Sequence, residues 1–315
     1  MSLLEVADLR KSYGSYTAVD GLTFNVEAGE VFGLLGPNGA GKSTTMMMLA
    51  GLRPADSGSV KIDGHSFDSG TQALKLILGI VPQDLAIYPD LTARENLQFF
   101  GRLYGIRGSI LRERINKVLG DVGLAPSANV FARNFSGGMK RRLNFAAALL
   151  HQPKLVILDE PTVGVDPQSR SHLMDCVRNL SAAGVAVIYC SHYMEEVEAI
   201  CHRVAIVDKG KLLTCGTLAE LLSDSRADLH LRVRGVKARL GPRLVGLAEV
   251  EPLGEEEVQI VMHRNRRDTS FAINDRLTLV LEILKQAKAE ILSMETKEHD
   301  LERLFLELTG RKLRD

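Results

Sequence analysis

Leu155 to Leu158, Val185 to Tyr189 and Val204 to Val207 are short, β-branched apolar runs separated by stretches of helical period. Runs of this length without alternation suit strands buried on both faces, so the pattern predicts parallel strands of an α/β sheet. A further run, Glu30 to Leu35, enters a glycine-rich turn, and Ser43 to Leu52 then has helical spacing that stops at Gly51 and Pro54. Residues 3 to 26 read as strand segments turning near Tyr13-Gly14-Ser15-Tyr16. Ser57-Gly58-Ser59 and Asp63-Gly64 bracket another strand, Val60 to Ile62, which predicts a small antiparallel layer. Thr92-Ala93-Arg94-Glu95 has the form of a capping box opening a helix through Phe100, and Ile110 to Leu119 is amphipathic at helical period. Residues from about 84 to 150 are therefore expected to form a mainly helical insert.

Beyond about residue 225 the texture changes. Leu229, Leu231 and Val233 alternate with His230, Arg232 and Arg234, and Val258, Ile260 and Met262 alternate likewise, as half-buried strands do. Leu277 to Ala289 has helical spacing, Ile291 to Met294 reads as a strand and Leu301 to Leu308 as a last helix. The expected organisation is an α/β domain over 1–222 followed by a small α+β accessory domain over 225–315.

Composition narrows the classes. With 45% hydrophobic and 25% charged residues, the chain suits a globular protein rather than a disordered or fibrous one. Its 39 Lys and Arg balance 39 Asp and Glu, so no global field draws it to nucleic acid or an anionic surface, and no nucleic-acid partner is expected. Cys176, Cys190, Cys201 and Cys215 are irregularly spaced with no CxxC pair, and read as reduced thiols of a reducing compartment. The N-terminal residues lack a basic segment followed by an apolar one, and no uncharged apolar run approaches about 18 residues. The chain is thus expected neither to enter nor to cross a membrane by itself.

Three segments carry chemistry. Gly36-Pro37-Asn38-Gly39-Ala40-Gly41-Lys42-Ser43 matches G-x-x-x-x-G-K-[ST] between a predicted strand and a predicted helix, the context a phosphate-binding P-loop requires. Glycines let backbone N–H groups converge on phosphate oxygens, the helix start turns its positive dipole end toward them, and Lys42 adds a full charge. Ser43 is then placed to ligate Mg²⁺. Leu155-Val156-Ile157-Leu158-Asp159-Glu160 delivers two carboxylates at a strand's C-terminal end, where α/β sheets place ligands. Successive residues of an extended chain point opposite ways, so Asp159 suits a Mg²⁺ shell and Glu160 the polarisation of an attacking water. Ser136-Gly137-Gly138 precedes a helix whose apolar positions Met139, Leu143, Ala146, Ala147 and Leu150 share a face. Ser136 reads either as its N-cap or as a hydroxyl donor to an anion.

Taken in order, the P-loop, Gln83, Phe135-Ser136-Gly137-Gly138-Met139, Leu155 to Pro161, Val163-Gly164-Val165-Asp166 and His192 resemble the motif series of ABC ATPases over about residues 1–222. The resemblance implies ATP and Mg²⁺ as ligands and a head-to-tail dimer, of two copies or of a copy and a paralogue. In it the P-loop of one chain and the Ser136 segment of the other close over one ATP. It implies that Thr44 joins the P-loop in binding nucleotide, that Gln83 senses Mg²⁺, that Asp166 couples the two sites, that His192 contacts the γ-phosphate and that Tyr13 stacks on adenine. Phe135 and Met139 stand where the signature usually has Leu and Gln, which leaves that Gln's polar contacts without a counterpart. Lys140-Arg141-Arg142 reads as a solvated helix face. The segment from Asp300 to Arg311 and the run Glu160 to Arg170 resemble ATPases of daunorubicin-type drug exporters. That likeness implies a cytoplasmic subunit held at the inner face of the membrane by a separate integral-membrane permease, with a groove for one of its cytoplasmic helices over residues 84–105. A soluble ABC ATPase acting on ribosomes or DNA is the competing expectation. Tandem cassettes, long coiled coils and zinc modules, which mark such relatives, are absent from the sequence.

Overall fold

The computed structural model describes residues 2–67, 71–222, 228–234, 237–254, 256–262, 270–297 and 300–310. Two compact units emerge, the first built mainly from the chain up to Leu218 and the second from Ala219–Glu307. The expected domain boundary falls on residues 223–227, which lie outside the described residues, as does Arg311 of the terminal segment.

In the first unit, β1 (Ser2–Tyr13) and β2 (Tyr16–Glu27) form a hairpin, and β3 (Val31–Leu35) runs through the core into the P-loop and α1 (Lys42–Leu49). β4 (Ser57–Ile62) and β5 (His65–Ser66) complete an antiparallel sheet of order β2-β1-β4-β5. α2 (Thr71–Ile77) leads into β6 (Leu78–Val81), and α3 (Ala93–Leu103), α4 (Gly108–Asp121) and α5 (Gly137–Leu149) follow as the helical stretch. The capping box at Thr92 forms: Glu95 N–H donates to Thr92 Oγ1 at 3.2 Å and Thr92 N–H to Glu95 Oε2 at 2.8 Å, satisfying two otherwise orphaned donors. The chain continues through β7 (Leu155–Asp159), α6 (Pro167–Ala182), β8 (Ala186–Ser191), α7 (Met194–Ile200), β9 (Arg203–Asp208) and β10 (Lys211–Thr217), and α8 (Leu218–Leu222) begins at the last residue of the first unit's main stretch and belongs otherwise to the second unit.

The six-stranded sheet has the order β10-β9-β3-β8-β7-β6, parallel from β9 to β6, with β10 antiparallel at one edge. β3, β8 and the first four residues of β7 are buried throughout, which is why they read as unbroken apolar runs rather than alternating ones. Leu34, Ile157, Ile188 and Ala205 from this sheet and Leu4, Val6 and Ile62 from the antiparallel sheet share one core. The order has a functional consequence. Four neighbouring strands, β3, β8, β7 and β6, deliver the P-loop, His192, Asp159 with Glu160, and Gln83 at the same end of the sheet, the end where parallel sheets bind ligands. Among the described residues, no helix is long and apolar enough to cross a membrane.

In the second unit, β11 (Asp228–Arg234), α9 (Lys237–Leu244), β12 (Glu249–Pro252), β13 (Glu257–Met262), α10 (Ser270–Gln286), β14 (Glu290–Lys297) and α11 (Leu301–Thr309) follow one another. The strands make an antiparallel sheet of order β12-β13-β11-β14, and Leu231, Val233, Val258 and Ile260 pack with Leu240 and Val280 of the helices. Asp228, 1% exposed, is paired with Arg303. All four cysteines are free thiols, and Cys176, Cys190 and Cys201 are buried.

Candidate ATP site

The turn after β3 is shaped by close backbone approach. Gly41 caps α1 at φ 98°, and a Cβ there would overlap the Ala18 carbonyl oxygen. Gly41→Ala therefore combines a left-handed conformation, costing about 1–3 kcal/mol, with a steric clash. It is expected to lower the denaturation midpoint and abolish nucleotide binding, measured by chemical denaturation and by titration with a fluorescent ATP analogue. α1 has no side chain bonded to its first N–H groups, so the loop leaves donors at a helix start facing the pocket.

Lys42 is 5% exposed and its ammonium donates to the carbonyls of Gly36 at 2.6 Å and Pro37 at 3.1 Å. Burial pushes its pKa down, against the raising influence of Cys190, Glu160 and Asp159. At the end of β7, burial first and then Glu160 push Asp159 up, while Lys42 opposes them. Glu160 sits in the left-handed region at φ 45°, a conformation a side-chain-bearing residue adopts at a cost, and its N–H donates to the Cys190 carbonyl at 3.0 Å. This turn aims the Glu160 carboxylate between two partners. Oε1 lies 3.1 Å from His192 Nδ1, and Oε2 accepts from Gln83 Nε2 at 3.2 Å.

A pocket of about 300 Å³ collects Lys42, Glu160, His192 and Gln83, while Asp159 is not among its lining residues. Pro37, Asn38, Gly39, Gly41, Lys42, Ser43, Thr44, Gln83, Glu160 and His192 all line it. Tyr16 lines it too, its hydroxyl donating to the Gly39 carbonyl at 3.1 Å. Tyr13, paired with Tyr16 across the β1–β2 turn, is not among the lining residues, and its ring lies 5.8 Å from the Lys11 ammonium. Gly36 and Ala40 stand behind the wall, Gly36 as acceptor for Lys42 and Ala40 in the core. Ser43 hydroxyl, Gln83 amide oxygen and Asp159 carboxylate are hard oxygen donors of the type Mg²⁺ takes.

The Ser136 segment is outside this pocket. Ser136 N-caps α5, accepting from Met139 N–H at 3.2 Å, and Asp166 N-caps α6, accepting from Ser169 N–H at 2.9 Å. The two helix starts touch: a Cβ on Gly138 would run into the Ser169 side chain. Ser136, Gly137, Gly138 and Asp166 thus form a second group that does not line the pocket holding Lys42. Phe135 is buried, so it fills the apolar place of the usual Leu.

Lys140-Arg141-Arg142 differs from the expected solvated face. Arg141 donates to the Gln83 carbonyl and, at 3.4 Å, to that of Val163, and Arg142 donates to the Val122 carbonyl at 2.9 Å. Asn144, 3% exposed, accepts from Ala86 N–H at 3.1 Å and donates to the Pro82 carbonyl at 3.4 Å. α5 therefore grips the segment around Gln83 by its backbone. The sequence reads Arg141 and Arg142 as solvated and does not single out Asn144. A polar residue at Asn144, inside an otherwise apolar helix face, was the available signal.

The model of the ABC transporter family matches residues 19–163. Along 99% of the chain and 100% of the relative, the sequence is 44% identical to the linearmycin resistance ATP-binding protein LnrL of Bacillus subtilis (strain 168). The chain belongs to the ABC transporter family. It is also 36% identical to the daunorubicin/doxorubicin resistance ATP-binding protein DrrA of Streptomyces peucetius, over 99% of this chain and 94% of that one. Among solved structures, the ATP-binding subunit of an ABC transporter aligns with a TM-score of 0.65 and 30% identity, covering 70% of this chain and 92% of the other. This ABC ATPase therefore binds and hydrolyses ATP.

Proposed function

We propose that this ABC ATPase powers an exporter of drugs or other amphipathic compounds through a separate integral-membrane permease. The full-length likeness to a linearmycin resistance protein carries this reading, supported by a 37% identical Nod factor export ATP-binding protein of Ralstonia nicotianae. Glu160 polarises the attacking water, Lys42 and His192 stabilise charge on the transferring phosphoryl group, and Ser136 of a second chain, the same or a paralogue, closes the site head-to-tail. Ser43, Gln83 and Asp159 would hold Mg²⁺, which when bound neutralises charge on the phosphate oxygens. Asp166 would link the two sites, and either aromatic of the β1–β2 turn, Tyr13 or Tyr16, offers a face for adenine.

The permease is proposed to dock over residues 84–105. An apolar groove of about 690 Å³, lined in part by Phe100, Leu103, Tyr104 and Gly105, opens there beside Leu52 and Leu76. Leu52 and Leu103 are 66% and 68% exposed, an apolar surface of the kind that marks an interaction site. Docking on α3 would place the permease against the elements that follow Gln83, and would hold the ATPase at the inner face of the membrane. Affinity capture of the tagged protein from detergent-solubilised membranes, with mass spectrometry, tests this. A multi-spanning protein should be recovered with the wild type and lost with Leu103→Glu, while ATP binding persists in that variant. Recovery of ribosomal proteins or DNA-repair factors without a membrane protein would overturn the exporter reading and leave the ATPase standing.

A further inference from the structure

Behind the Glu160–His192 pair lies a polar cluster outside the motif series. Glu196, in the first turn of α7, is 2% exposed. Its Oε2 accepts from Thr162 Oγ1 at 2.8 Å, from the Tyr189 hydroxyl at 2.8 Å and from Ser191 Oγ at 3.3 Å, and its Oε1 faces Arg170 Nε at 3.3 Å. A carboxylate this deeply buried needs donors: Oε2 has three hydroxyls, while Oε1 has the Arg170 charge beside it but no hydrogen bond, and a hydroxyl facing a carboxylate has to donate. Burial, and next to it the Glu196 charge, hold the Tyr189 phenol well above its ordinary range, so it remains a donor there.

What matters is where the donors come from. Thr162 follows Glu160 by two residues on the loop after β7, and Ser191 immediately precedes His192 at the end of β8. Ser191 Oγ also accepts from Tyr193 N–H at 2.9 Å, so the residues on both sides of His192 are tied to this one side chain. The Tyr193 ring packs 4.2 Å from the His192 ring, and the Arg170 guanidinium stands 5.2 Å from the Tyr193 ring. Arg170 belongs to α6, the helix that Asp166 caps. Through Tyr189 and Ser191 Glu196 is bonded to β8, and through Thr162 to the loop after β7, so one carboxylate joins the strand end that carries His192 to the loop that carries Glu160, and those two side chains meet at 3.1 Å.

We propose that Glu196 is a positioning residue for ATP hydrolysis, fixing the Glu160 and His192 loops against each other from behind. The proposal rests on the reading of Glu160 and His192 as the reacting pair. Misplacing a reacting group by about 1 Å costs up to about 100-fold in rate. Glu196→Gln preserves shape but replaces an acceptor oxygen with a donor among donors, and Ser191→Ala removes the link on the His192 side alone. Steady-state ATPase assays, nucleotide titrations and thermal melts on both variants test the idea, with Glu160→Gln in parallel. Expected for Glu196→Gln is a kcat about ten-fold lower with KM for ATP within about two-fold of wild type, and for Ser191→Ala a smaller fall in the same sense. Should Glu196→Gln fail to fold, Ser191→Ala decides the matter. Wild-type kcat in the folded variants, with only a lower Tm and with Glu160→Gln inactive, overturns the positioning role while leaving the reacting pair intact. Normal turnover in Glu160→Gln itself would remove the pair, and the proposal with it.

Discussion

Glu160→Gln is expected to lower ATP turnover by about 10²- to 10⁴-fold while ATP binding persists, the loss typical of removing a group that moves a proton in the transition state. The argument is local. Glu160 adopts a left-handed backbone after β7, and the turn brings its carboxylate to His192 at 3.1 Å and Gln83 at 3.2 Å. Glutamine keeps the length and one acceptor of that side chain, so the pocket should retain its shape and its phosphate-facing N–H groups. What it lacks is the capacity to take a proton from water. Single-turnover phosphate release, compared with equilibrium binding of ATP on the same preparation, separates the two effects. A variant that binds ATP and accumulates as a closed dimer is the expected result, and near-normal turnover would remove Glu160 from its role.

Lys42→Ala is expected to act on binding. The ammonium is buried and held by two carbonyls of the P-loop, 2.6 and 3.1 Å away, so it is ordered before nucleotide arrives. A charge-assisted contact with phosphate of this kind contributes about 1.5–3 kcal/mol, so its loss should weaken ATP affinity by roughly 10- to 150-fold. Stability of the free protein should change far less. Burial opposes the charged ammonium, and removing it relieves that penalty as it removes the two bonds. Calorimetric titration with ATP beside a thermal melt tests both statements, and unchanged affinity would contradict the P-loop assignment.

The sequence carried most of the architecture because its signals were local. β7 and β8 lie inside the sheet, covered on both faces, and showed themselves as unbroken apolar runs. The Thr92 capping box and Gly41 announced helix starts through chemistry within four residues of one another. β6, by contrast, follows directly on α2, and no turn residue stands at the junction of Ile77 and Leu78 to separate helix from strand. β10 and β12 are edge strands, and their place is set by pairing with β9 and β13 rather than by an internal pattern. The P-loop residues, Gln83, Glu160 and His192 were legible because the motif series names them, and the order of four adjacent strands explains why they converge. Arg141, Asn144 and Glu196 were not. Each looks like an ordinary polar residue of a helix, and its role exists only because carbonyls or hydroxyls distant in sequence are folded against it. The exchange of Tyr13 for Tyr16 at the pocket wall has the same origin, since both flank one turn and only the hairpin's geometry decides which faces Gly39.

One feature of the fold points beyond a single chain. Ser136, Gly137, Gly138 and Asp166 cluster at two helix starts away from the pocket that holds Lys42 and Glu160. If the Ser136 group completes the ATP site, it must do so from a second chain. The measurement that tests this most directly is ATPase activity on mixing two inactive variants, Lys42→Ala and Ser136→Glu, each purified alone and then combined. A head-to-tail dimer of one chain of each kind contains one intact site, formed by the unaltered P-loop of the Ser136→Glu chain and the unaltered Ser136 of the Lys42→Ala chain. Activity reappearing on mixing, where neither variant alone shows any, is the predicted result; a mixture as inactive as its components, in which mixed dimers are shown to form, would contradict the shared site.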